Sequence, residues 1–60
     1  GYDGVKFFTS MIDDVLEVVS PGETVHFHGA QPRKLAERAN YWAGVRNLKA
    51  VILPYSVRFE

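Results

Sequence analysis

Thr24-Val25-His26-Phe27-His28-Gly29, then Ala30-Gln31-Pro32, then a helical stretch over residues 33–47, then Leu48-Lys49-Ala50-Val51-Ile52-Leu53, is the run that decides how this chain is read. Its order is strand, tight turn, helix, strand. The length suits a right-handed crossover joining two parallel strands, and the segments on either side serve to cover that unit. The fold class expected is therefore α/β: one small domain over residues 1–60, αβαβ in order, with room for a C-terminal edge strand.

Within the run, Val25 and Phe27 point one way and Thr24, His26 and His28 the other, so one face of the sheet is expected to be open or covered by something outside the chain. Gly29 ends that strand. Pro32 fits the first turn of a helix, where its missing N–H has no intrahelical partner to lose. Leu35, Ala39, Trp42 and Ala43 then make a narrow buried stripe, continued by Val45 and Leu48 as the chain leaves it, while Arg33, Lys34, Arg38 and Tyr41 occupy the other side. Gly44 is expected to loosen or end this helix. The continuous Val51-Ile52-Leu53 reads as a central strand. After Pro54-Tyr55-Ser56, Val57 and Phe59 alternate with Arg58 and Glu60 as an edge strand would, and the sequence leaves open whether this tail folds back or runs on.

Upstream, Val5, Phe8, Ile12, Val15 and Val19 fall at helical spacing, with Phe7, Met11, Leu16 and Val18 widening the apolar stripe. Two readings compete there: one helix over residues 5–19 with Asp3 as N-cap, which is preferred, or a strand over residues 5–8 followed by a shorter helix capped by Ser10. Ser20-Pro21-Gly22 stops the helix in either case.

Sixty residues lie near the lower limit of independent folding, and the absence of cysteine removes both disulfides and thiolate metal sites as staples. A hydrophobic content of 47% is hard for so small a monomer to hide, so association with another chain is expected. Net charge is zero, which removes the simple electrostatic case for nucleic acid or an anionic membrane. The charges are nonetheless divided, net −3 over residues 1–20 and net +3 over residues 21–60. No apolar run approaches the roughly 18 residues of a membrane span and no signal-peptide pattern is found, so a cytoplasmic place and no membrane partner are expected. Because residue 1 is Gly, a first strand lying upstream is kept in mind.

Gly1-Tyr2-Asp3, the helix ending Ile12-Asp13-Asp14-Val15-Leu16-Glu17-Val18-Val19, the run Pro21-Gly22-Glu23-Thr24-Val25-His26-Phe27-His28-Gly29 and the later Leu35-Ala36-Glu37-Arg38-Ala39 together resemble part of the SLOG superfamily, Rossmann-like proteins related to the DprA and Lonely Guy groups. The resemblance covers most of residues 1–53. It implies a parallel sheet with a nucleotide or nucleic-acid ligand at the strand ends. Two features depart from the family pattern: the first strand with its glycine-rich loop is absent, and the second glycine-rich turn is reduced to Gly29-Ala30-Gln31-Pro32-Arg33-Lys34. Only Gly29, as the turn residue, carries over.

Physical argument independently selects the same spot, since ligands of open parallel sheets sit beyond the strand ends against helix N-termini. The ligand-binding candidates are His28, Gly29, Gln31, Arg33 and Lys34, extended along the helix by Arg38 and Tyr41, whose cation-plus-aromatic spacing suits phosphates and bases. The plain alternative is a permissive turn beside a solvated helix face. His26 and His28, about 7 Å apart by strand rise, lack a third ligand, so no metal is expected. Asp13 and Asp14 diverge around a helix and read as a solvated face. No nucleophile has an associated base and no P-loop is present, so neither catalysis nor a cofactor is expected. Phe7, Phe8, Met11, Val18, Tyr55 and Phe59 form the candidate interface. The function expected is a non-catalytic protein-interaction module that self-associates as a homodimer or binds a partner protein; the alternative is a reduced nucleotide- or nucleic-acid-binding domain at the Gly29 turn.

Overall fold

The structure, a computed structural model, describes residues 12–60. In chain order it contains α1 (Ile12–Val18), β1 (Thr24–His26), α2 (Pro32–Arg46), β2 (Ala50–Leu53) and β3 (Ser56–Phe59). The α/β class and the αβαβ order with a further C-terminal strand are as expected. The sheet order is not: it runs β1-β3-β2, and both pairings are antiparallel. β1 and β2 therefore point the same way, as the two strands of a βαβ unit do, but they never touch. β3 lies between them, so among the described residues the strand expected at an edge is central and the strand expected to be central is at an edge.

The cause is local. Leu53 pairs directly with Ser56, leaving Pro54-Tyr55 as a two-residue turn that sends the chain straight back along β2. Neither turn residue has positive φ, and the ring of Pro54 presets the value that the first central position of an unprimed turn needs. With β3 thus committed to β2, its other edge is the one β1 can reach. Burial follows position rather than composition: Val57 and Phe59 of β3 are buried, whereas Val51 and Ile52 of β2 are half-buried and Leu53 is exposed.

Val25, Val57 and Ile52 form a row across the three strands on the core face. Against this face pack Ile12, Val15, Leu16 and Val19 from α1 and its exit, and Leu35 and Ala39 from α2, with Phe27 and Phe59 buried among them. Val45, expected to continue the buried stripe, instead stands 58% exposed. The opposite face, carrying Thr24, His26, Val51, Leu53 and Arg58, has no helix over it among the described residues. That is the open face the alternation of β1 predicts.

Gly44 does not end α2. The helix runs through it to Arg46, and Asn47 closes it in the left-handed conformation at φ 58°. The Asn47 N–H bonds the Gly44 carbonyl at 3.3 Å and the Leu48 N–H bonds the Ala43 carbonyl at 2.8 Å, which satisfies carbonyls otherwise orphaned at the helix end. Leu48 then folds onto the core.

Candidate functional site

The turn between β1 and α2 gathers the first group of expected ligand residues. The Ala30 N–H reaches back to the Phe27 carbonyl at 3.3 Å, with Gly29 at φ 86°, a backbone position that side chains resist and glycine accepts. His28 belongs to this turn and not to β1, so it does not share a strand face with His26. Gln31 is the N-cap of α2 but makes no side-chain bond to the helix amides, and the first turn of α2 holds no acidic residue. Arg33 and Lys34 are exposed beside it. His28, Gly29, Gln31, Arg33 and Lys34 are thus close along one turn and one helix start.

Arg38 and Tyr41 belong to a different group. Asp13 of α1, expected on a solvated face, instead receives the Arg38 guanidinium through Nε at 2.8 Å and Nη2 at 3.1 Å, and the Trp42 indole N–H at 3.0 Å. The Arg38 guanidinium also lies 4.5 Å from the centre of the Tyr41 ring, which meets Trp42 edge-on at 5.2 Å. The hydrogen bonds from Arg38, and after them that from Trp42, hold the Asp13 carboxyl below its ordinary 3.8, against an opposing effect of burial. Asp13 in turn raises Arg38. This arrangement ties α1 to α2 and engages Nε and Nη2 of Arg38, which gives Arg38 a structural role. One turn on, Arg46 donates at 2.9 Å to the Leu16 carbonyl near the end of α1 and lies over the Phe59 ring at 5.3 Å.

Of the candidate interface residues, Val18 and Tyr55 are 60% and 54% exposed, Val18 on α1 and Tyr55 at the hairpin turn. Phe59, expected at the interface, is wholly buried in the core, because β3 is central and turns this ring toward the helices. Phe7, Phe8 and Met11 lie outside the described residues, as does the choice between strand and helix over residues 5–8. Among the described residues no three acidic or His side chains converge as metal ligands would, and no helix is long and apolar enough to cross a membrane.

The feature that sequence reasoning missed is the outer edge of β2. Lys49 and Glu60 exchange both backbone hydrogen bonds, at 3.0 and 2.7 Å. By the alternation of antiparallel ladders, Val51 and Leu53 are then the residues bonded to β3, and Ala50 and Ile52 turn their N–H and C=O groups outward. The uninterrupted apolar run was the available signal, for an apolar strand flanked by a tight hairpin can be an edge as well as a centre. The chain matches no family model, no curated protein and no solved structure.

Proposed function

We propose that this domain acts by binding and not by catalysis, as a protein-interaction module that self-associates. The observation carrying this reading is the placement of Ala50-Val51-Ile52-Leu53, the most continuously apolar strand, at the edge of the sheet that the described residues form. A central position would have hidden these side chains; the edge leaves Val51 and Ile52 half-buried and Leu53 exposed, with Tyr55 exposed at the adjoining turn. Edge strands of soluble proteins are ordinarily blunted by charge, proline or a bulge, and β2 has none within its four residues. Solution mass by light scattering from micromolar to millimolar protein, at low and high salt, tests the reading. A dimer that persists at high salt is the expected result, and a monomer throughout would end it.

A second reading rests on the start of α2, where Gln31 leaves the helix amides uncapped, no carboxylate occupies the first turn, and Arg33 and Lys34 flank the site. Helix amides with adjacent cations suit a phosphate. This reading is a nucleotide- or nucleic-acid-binding domain whose ligand sits at the Gly29 turn; it keeps that part of the SLOG resemblance, although the parallel sheet the resemblance implies is replaced by antiparallel pairing. Titration with a nucleoside triphosphate and with a short single strand, for the parent and for R33A/K34A, tests it; equal binding by both proteins would dismiss it.

A further inference from the structure

We propose that the outer edge of β2 pairs antiparallel with β2 of a second copy of this chain, Val51 opposite Val51, joining two three-stranded sheets into one of six strands. The inference rests on the self-association proposed above and specifies its geometry.

The argument begins with backbone groups. Ala50 and Ile52 each present an outward N–H and C=O, and no described residue bonds them. Two copies of β2 related by a two-fold axis at Val51 place Ala50 of one opposite Ile52 of the other, twice. In that register every outward group finds a partner. A shift that centred the axis on Ile52 would set Ala50 against Pro54, which has no N–H to give.

Side chains agree with this register. Val51 meets its own copy on the open face, an apolar pair at the axis, and no charge lies within residues 50–53. Each chain has zero net charge, so the two copies do not repel as wholes. The other edge, on β1, is only three residues long and carries Thr24 and His26 on its open face. It offers a poorer template.

The helix above β2 supplies an independent observation. Arg38, Trp42 and Arg46 mark the flank of α2 that faces α1. Ala36, Asn40 and Gly44, four residues apart, lie on the opposite flank and, since α2 packs over β2, look out past the sheet edge. Nothing among the described residues requires glycine at position 44. Its φ is not positive, and a Cβ built there meets nothing within 4 Å. A glycine inside a helix costs stability relative to alanine, which makes sense where another helix must approach closely. Pairing the two β2 strands brings the two α2 helices together along this flank.

Two variants test the geometry by sedimentation equilibrium, with circular dichroism to confirm folding. Val51→Glu puts two carboxylates face to face at the axis while leaving each within reach of Arg58 in its own sheet. Gly44→Arg places a bulky cation where the described residues leave open space. Each is expected to weaken dimerisation about tenfold or more, and the amide protons of Ala50 and Ile52, protected in the parent dimer, should exchange faster. If the parent dimerises and both folded variants dimerise equally well, this geometry is wrong and self-association through another surface stands. If the parent is monomeric at millimolar concentration, both the geometry and the reading beneath it fail, and protected Ala50 and Ile52 amides in that monomer would assign the edge to the chain's own residues.

Discussion

Asp13 and Arg38, twenty-five positions apart in the chain, face each other across the two helices with both guanidinium contacts at 3.1 Å or less. A carboxylate in the first turn of a short helix thereby fixes how α1 lies against α2, and Trp42 is held in place by the same carboxylate.

The depressed pKa of Asp13 links this contact to pH. A carboxyl whose pKa is lower folded than unfolded adds stability above its ordinary value of 3.8 and loses it as pH falls through the folded value. Asp13→Asn should thus unfold at lower urea than the parent at pH 7, and the gap should close in strongly acidic solution. A gap that stayed constant down to acid pH would show that the charge of Asp13 is irrelevant. Both side chains are partly exposed, so added salt should narrow the difference at neutral pH.

Trp42→Phe keeps a ring in the groove between the helices but removes the N–H that Asp13 accepts. A loss of about 1 kcal/mol is expected. Since Trp42 is the only tryptophan, the measurement must be urea denaturation followed by circular dichroism.

At Asn47 the left-handed backbone sets the sign of a substitution. Asn47→Ala should destabilise by about 1 kcal/mol, because a Cβ without a local hydrogen-bonding group is disfavoured there. Asn47→Gly should be neutral or slightly stabilising, as glycine takes φ 58° without strain. Thermal midpoints of the two variants, measured side by side, decide the point.

Phe59 separates core from interface directly. Its complete burial means that Phe59→Leu should lower stability by about 1 kcal/mol or more. Dilution series of parent and variant, compared at equal folded fraction, should give the same dissociation constant.

Much of this fold can be read from apolar spacing, because spacing reports which face of an element is buried. Leu35, Ala39 and Ala43 at helical intervals, and Val25 and Phe27 at alternate positions, are all buried. Pro32 opens α2 as its ring chemistry demands. Strand order is a different kind of quantity, set by which free edge a strand reaches first. Pro54-Tyr55 makes a hairpin and so determines that β3 follows β2 in space, yet the same residues are compatible with a kink. The Asp13 contact was hidden for a similar reason: residues 13, 38 and 42 become neighbours only once the helices pack. At the Gly29 turn the reverse holds, since a glycine, a proline and two cations within six residues report their own geometry.

The central place of β3 has a consequence for how the molecule is made. β1 and β2 share no hydrogen bond, so until β3 has been synthesised the described residues form no sheet. The β2–β3 hairpin closes over a two-residue turn and can form quickly, whereas joining β1 to β3 must bring together positions as far apart as Thr24 and Arg58. The 15 residues of α2 lie within that gap, so forming the helix shortens the loop to be closed. A nascent chain halted before β3 would hold two strands with nothing between them, and both backbone edges of β2 would be unpaired at once.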